Sequence, residues 1–209
     1  MSPSRFPPDI LFGPRVLTLD VESRHLAADV GGWDKFMAGA GGISALVLHD
    51  GWTNRYRCFN DTTLEKAAAF IEGPEVVLVT FNGKGFDVPL LQALLGRRLN
   101  ISAHRHIDLY QLAKSAKRES DPARGGYSLD AIARRTLDCG KEESGEHAPA
   151  LAEKGLWLTL FRYCKKDVDL TRRLFLFARE HGGIISHSGD LLPLALPDWL
   201  RIRATEVTQ

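Results

Sequence analysis

The chain has 209 residues, 44% of them apolar and 25% charged, with a formal net charge of +1. That length and balance suit one soluble α/β domain over residues 1–209 with a sizeable core, and no apolar run approaches the ~20 residues a membrane-spanning helix needs. Three cysteines, Cys58, Cys139 and Cys164, are odd in number and form no CxxC pair, which argues against a disulfide framework or a structural zinc and makes a reducing cytosol the expected compartment.

Residues 1–14, MSPSRFPPDILFGP, lack a charged segment followed by a long apolar one. They read as an extended lead-in and not as a secretory signal. Residues 16–23, VLTLDVES, follow as a β-strand without Gly or Pro. Alternation sends Leu17, Leu19 and Val21 to one face and Val16, Thr18, Asp20 and Glu22 to the other. Two like charges on one face repel, and a metal cation between them is one of few arrangements that makes the pairing favourable. The plainer alternative is a solvated strand end.

A glycine-rich loop follows, from Gly31 and Gly32 to Gly41 and Gly42, carrying Trp33 and Phe36. It does not fit GxxxxGK[ST], so it is not a P-loop. Residues 43–49 are the next strand, Asp50-Gly51 a turn, and residues 56–59 a third strand, which makes an antiparallel opening meander. A helix runs from the caps at 61–63 to about residue 72, with Leu64, Ala67, Ala68 and Ile71 on one face. Residues 75–81, EVVLVTF, are almost continuously apolar, as in a strand of a parallel sheet buried on both faces.

Beyond the loop at 82–85, residues 88–95 form a short helix, with Pro89 tolerated in the first turn. Residues 106–109 read as a short strand, 110–117 as helix, Gly125-Gly126 as a break, and Ser128 as the cap of a helix to about residue 137. Residues 139–147 are loop-like. The longest helical pattern covers 156–181, where Leu160, Tyr163, Asp167, Leu170 and Leu174 share one stripe. The segment 182–199 is expected to form a small hairpin. The pairs Arg97-Arg98, Arg134-Arg135, Lys165-Lys166 and Arg172-Arg173, with His104-Arg105-His106 and Lys114, Lys117 and Arg118, are candidate basic patches. Scattered solvated cations are the equal alternative.

Asp167 stands on the apolar stripe, one turn after Tyr163. An unpaired buried carboxylate costs several kcal/mol, so it needs a cation, a hydrogen-bond network or a cleft. Asp87 starts a helix after a buried strand, where ligands gather in open α/β sheets, although Asp there is also a common cap. Asp20, Glu22, Asp87 and Asp167 thus fall where strand ends and helix starts can converge. Four carboxylates in one cleft point to hard divalent cations, Mg²⁺ or Mn²⁺. Two such ions about 3.5–4 Å apart clamp the attacking and leaving oxygens of a phosphodiester.

LTLDVES, FNGKGFDVPLL and YCKKDVDLTRRL, in this order, resemble the three motifs of the DEDD superfamily of 3′–5′ exonucleases. Asp20 and Glu22 match the first motif, Asn82, Phe86 and Asp87 the second, and Tyr163 and Asp167 the third, in its tyrosine (DEDDy) form. The likeness covers about residues 17–177 and is nearest to stand-alone bacterial ribonuclease H-like exonuclease domains. It implies an α/β ribonuclease H-like fold, a mixed sheet with antiparallel opening strands flanked by helices, and a motif-bearing core over about 16–181. It also implies that Asp20, Glu22, Asp87 and Asp167 hold two metal ions and that Tyr163 orients the attacking water. A phenol with its ordinary pKa of about 10 is a poor general base near neutrality, but it can position a water whose pKa the ions have lowered.

Asn82, Phe86 and Trp33 are the expected substrate contacts, Trp33 by stacking on a terminal base, with anchoring of its own loop as the alternative. Asp108 stands outside the tetrad and reads as a support behind the site's ligands or as structural. The expected partner is a nucleic acid with a free 3′ end, single-stranded by preference, and no membrane; DNA against RNA is left open. No polymerase or helicase region follows, so the domain is expected to act alone or with a separate partner. The rival readings are a catalytically silent nucleic-acid-binding module with the same fold, and a protein in which the acids are only caps and surface charges.

Overall fold

The structure is a computed structural model that describes residues 14–117, 126–140 and 148–200. The lead-in before Pro14, Arg118, Gly125 and most of the loop expected at 139–147 lie outside the described residues.

The first strand, β1 (Arg15–Ser23), is the middle of a five-stranded sheet of order β3-β2-β1-β4-β5. It pairs antiparallel with β2 (Ile43–Asp50), which pairs antiparallel with β3 (Arg55–Phe59). On its other side β1 runs parallel to β4 (Val76–Thr80), and β4 runs parallel to β5 (His106–Asp108). The sheet is therefore mixed, with the antiparallel meander at its opening side and helices on both faces. This is the α/β architecture expected from the sequence. Burial of the whole of β4 accounts for its unbroken apolar run.

The alternation along β1 assigns the two layers. Leu17, Leu19 and Val21 pack with Leu46, Leu48 and Leu78 against α2 (Leu64–Ile71) and α3 (Asp87–Leu95). The four residues expected inside on α2, Leu64, Ala67, Ala68 and Ile71, are all buried. Val16, Val77, Val79 and Ile107 face the other layer, built from α4 (Leu109–Ser115), α5 (Leu129–Leu137) and α7 (Trp157–His181). Leu160, Leu170 and Leu174 of the α7 stripe are buried, and each fully buried Leu side chain contributes about 1.5–3 kcal/mol. Ser128 caps α5 by accepting from Ala131 N–H at 3.2 Å. Gly182, in the left-handed region, ends α7. The expected hairpin is β6 (Gly183–Ile185) paired with β7 (Leu191–Pro193).

Two local readings change. The glycine-rich segment is not simply loop. Trp33–Lys35 forms a single helical turn, α1, and continues into a wider turn over Phe36–Ala40 that breaks at Gly39. The i, i+3 spacing of Trp33 and Phe36 brings their rings together on that turn, 5.3 Å apart and nearly parallel. A second element, α6 (Ala148–Glu153), precedes α7 where the sequence gives no helical stripe. It buries only Ala148 and Ala152, and six residues are too few to show a periodicity. No helix among the described residues is long and apolar enough to cross a membrane.

Candidate active site

The sheet positions a cluster of acids at the C-terminal end of β1. The β1–β4 ladder stops at Thr18 and Val79, while β1 itself continues to Ser23. Beyond the ladder, the Val21 N–H donates to Asp87 Oδ1 at 3.0 Å. Asp87 is thereby fixed to the residue between Asp20 and Glu22. Asp87 is 3% exposed, Asp167 3% and Glu22 8%, whereas Asp20 is half-buried.

The loop that delivers Asp87 is tightly determined. Asn82 takes a left-handed φ of 67°, which Asn tolerates better than most residues. Its carbonyl accepts from Gly85 N–H and Phe86 N–H, both at 3.0 Å, which closes the turn that opens α3. A Cβ at Gly83 would stand 2.5 Å from the Thr80 side chain, so only glycine fits there. Asp108 holds the loop from outside. Its carboxylate accepts from Asn82 N–H and Lys84 N–H, and it also caps α4 by accepting from Tyr110 N–H and Gln111 N–H. Asp108 therefore both supports the loop that carries Asp87 and caps a helix, the two parts left open for it in the sequence.

Helix α7 lies across β1 and β2 and brings Cys164 to Asp20 and Asp167 near Asp87, with Tyr163 one turn before Asp167 on the same helix. Tyr163, Cys164 and Asp167 are all buried. Asp20 pairs with Val47 across the β1–β2 ladder, and Cys164 packs on Val47 and Val168. The Cys164 thiol accordingly reaches Asp20, with Sγ 3.3 Å from the backbone oxygen and 3.5 Å from Oδ2. One ligand atom from each of Asp20, Glu22 and Cys164 lies within 4.8 Å of the others. Cys164 was not among the sequence candidates. Its only available signal is helical spacing, three residues before Asp167 and next to Tyr163.

The electrostatics carry the mark of crowded like charges. Burial pushes the Asp87 carboxyl up to about 7, two backbone hydrogen bonds oppose this, and the neighbouring Asp108 and Asp167 carboxylates raise it further. Burial also raises the Cys164 thiol, helped by Asp20, Glu22 and Asp167. The four carboxylates of the motifs thus share one neighbourhood. An all-oxygen set of this charge suits a hard divalent cation, which would offset the repulsion that Asp87 feels. By this test the residue types fit a divalent metal that Asp20, Glu22, Asp87 and Asp167 could hold, although the atoms already within 4.8 Å of one another are those of Asp20, Glu22 and Cys164.

The raised Asp87 value has a thermodynamic consequence for the metal-free protein. The folded state binds the Asp87 proton more tightly than the unfolded chain does, so its contribution is fully present below about pH 4 and is lost as pH rises through about 7. Melting temperature in EDTA is expected to fall between about pH 5 and about pH 8, and the fall should flatten in Asp87→Asn. Mn²⁺ should raise it more at the higher pH. Thermal unfolding of both proteins with and without Mn²⁺ checks this, and identical pH slopes would contradict it.

Beside the acids stands an aromatic stack. The Trp33 and Phe86 rings are 6.0 Å apart and those of Phe36 and Phe86 5.9 Å apart, all close to parallel. Phe36 is buried against Gly41, where a Cβ would stand 2.7 Å from its ring. Trp33 remains 55% exposed. A cavity of about 680 Å³ opens past the end of β1, lined in part by Arg24, His25, Leu26, Glu153 and Trp157.

Several of the candidate basic residues are engaged within the fold. Arg97 bonds Glu65 and Glu72, Arg105 bonds Glu75, and Arg134 bonds Asp130. His106 is buried and its pKa is lowered to about 4, chiefly by desolvation, so it is neutral near pH 7. Arg172 is buried as well.

A family model described as the RNase H superfamily matches residues 40–178. The matched span contains Asp87, Tyr163 and Asp167 and begins after Asp20 and Glu22. No curated protein matches the chain.

Proposed function

Because the chain belongs to the RNase H superfamily, a group made up largely of metal-dependent nucleases, we propose that it is a 3′–5′ exonuclease that removes 5′-mononucleotides from DNA or RNA. The observation that carries this reading is the attachment of Asp87 to the backbone between Asp20 and Glu22, with Asp167 on the helix above them. In this reading Asp20, Glu22, Asp87 and Asp167 hold a pair of Mg²⁺ or Mn²⁺ ions. Such ions supply charge neutralisation at the phosphoryl group and a lowered pKa for the attacking water.

The chain's own side chains do the rest. Tyr163 is buried one turn before Asp167, and its hydroxyl orients the water toward phosphorus. The water oxygen bonds to phosphorus, and the bond from phosphorus to the penultimate O3′ breaks. The departing O3′ takes up a proton, and the phosphate leaves on the 5′ carbon of the terminal nucleotide. The exposed face of Trp33, backed by Phe36 and Phe86, stacks the terminal base, a contact of about 1–3 kcal/mol that tolerates any base. Asn82 acts through the turn that sets Phe86 and Asp87. The cavity at Arg24, His25 and Trp157 has the size of a nucleotide site and receives the strand behind the terminal residue.

Attack at a free 3′ end is testable by its block. A linear single strand with a 3′-hydroxyl should be degraded, while the same strand with a 3′-phosphate should resist and a closed circle should stay intact. Efficient cutting of the circle would make the protein an endonuclease and overturn the assignment.

A further inference from the structure

We propose that Asp20, Glu22 and Cys164 form a site for a thiophilic divalent cation, Zn²⁺ by its chemistry, and that Zn²⁺ bound there competes with Mg²⁺ or Mn²⁺. The inference rests on the metal-centre reading of Asp20 and Glu22 and not on the nuclease reaction. What sets this centre apart is a sulfur atom inside it. Cys164 is fully buried, and its Sγ stands 3.5 Å from Asp20 Oδ2, with all three ligand atoms within 4.8 Å. Zn²⁺ binds sulfur at about 2.3 Å and carboxylate oxygen at about 2.0–2.2 Å, so in tetrahedral coordination its ligand atoms lie about 3.4–3.6 Å apart. The 3.5 Å between Sγ and Asp20 Oδ2 already matches this, and the other separations, within 4.8 Å, close by side-chain movements of up to about 1 Å.

Hard and soft ions use this sulfur differently. Mg²⁺ prefers oxygen. With Mg²⁺ present, the thiol keeps its proton and remains a donor to Asp20. Zn²⁺ accepts thiolate readily. As the sulfur–zinc bond forms, the S–H proton leaves to solvent, and sulfur joins two carboxylates in a three-anion set. That set draws Asp20 into the tetrahedral geometry zinc favours, away from the octahedral one Mg²⁺ demands. Packing of Cys164 on Val47 and Val168 fixes the helix position from which the sulfur reaches the site.

Cd²⁺ is the spectroscopic probe, because a thiolate–Cd²⁺ bond gives an ultraviolet charge-transfer band that carboxylates do not. The full-length metal-free protein is titrated with Cd²⁺ in the absence of nucleic acid. One band saturating at one ion per chain is expected in the wild type and in Cys58→Ser, whose sulfur is exposed and distant in sequence. It should vanish in Cys164→Ser and weaken in Asp20→Asn. In Cys164→Ser, Mn²⁺ affinity should stay within a few-fold of wild type while Zn²⁺ affinity drops by more than about 100-fold, beyond the roughly 10–100-fold that loss of a supporting contact costs. Absence of the band from the wild type overturns the proposal, as does its survival in Cys164→Ser. If Mn²⁺ still binds when the band is absent, the sulfur site alone is wrong. If neither ion binds, the metal-centre reading falls with it.

Discussion

Asp20→Asn is expected to lower hydrolysis by on the order of 10³-fold or more while leaving the fold in place. The magnitude follows from the several kcal/mol of transition-state charge stabilisation that a metal centre supplies. The fold should survive because Asn keeps the shape of Asp, and because Asp20 is only half-buried at a strand end. Its neighbours sharpen the expectation. Asp20 shares its surroundings with Glu22, and Asp87 and Asp167 are close by. Removing one negative charge from that group relieves repulsion, so the metal-free variant should melt at or above the wild-type temperature. Stabilisation by Mn²⁺ should be reduced in parallel, since a ligand raises stability only in proportion to its binding. A folded Asp20→Asn protein that hydrolyses at the wild-type rate would remove Asp20 from the metal centre.

The second large effect separates Tyr163 from Asp167, which stand on one stripe of α7 and are both buried. Asp167→Asn removes a ligand charge, so Mn²⁺ affinity and turnover should fall together. Tyr163→Phe removes only a hydroxyl. Metal binding should survive, and kcat should drop by about 10²-fold, the lower range for losing a group that handles or orients a proton. If the phenol is only a structural partner, the balance reverses: the variant loses about 1–3 kcal/mol of stability through a lost buried hydrogen bond, with little kinetic change. Mn²⁺ affinity, melting temperature and single-turnover rate, measured on both variants, decide between the two. A wild-type rate in Tyr163→Phe would exclude the tyrosine-dependent mechanism even if the carboxylates prove catalytic.

The parts of this fold that were legible in the sequence are those governed by local period. Alternation along β1 assigned Leu17, Leu19 and Val21 to one layer and Val16 to the other, and the structure packs them so. The stripe from Leu160 to Leu174 identified α7, and the unbroken run at β4 identified a strand buried on both faces. What escaped depends on contacts distant in the chain. Cys164 meets Asp20 across 144 residues, through the register of β1 on β2 and the docking of α7. The stack of Trp33 and Phe36 on Phe86 joins segments separated by some 50 residues and relies on Gly41 to admit the Phe36 ring. Helix α6 escaped for another reason: APALAE is short, and it buries small side chains that leave no amphipathic signature. For the basic residues the sequence left patches and scattered cations as equal alternatives, since it does not reveal that Glu72, Glu75 and Asp130 are in place to pair with Arg97, Arg105 and Arg134.

The charge of the site also explains why its residue types go together. A buried carboxylate such as Asp87, held at about 7 by desolvation and by its acidic neighbours, is a poor choice for stability alone. Its hydrogen bond from Val21 N–H offsets part of the cost. In the proposed reading a divalent cation would offset the remainder, which would couple metal affinity and fold stability through the same group.

The most direct measurement is digestion of 5′-labelled single-stranded DNA and RNA of one sequence, each with Mn²⁺ or Mg²⁺, by the wild-type protein and by Asp20→Asn. The account predicts a ladder of fragments shortening from the 3′ end on at least one of the two substrates, abolished by EDTA and absent from Asp20→Asn. Intact substrate in every wild-type lane, from a folded protein that binds both Mn²⁺ and the strand, would contradict it and identify a nucleic-acid-binding module without turnover.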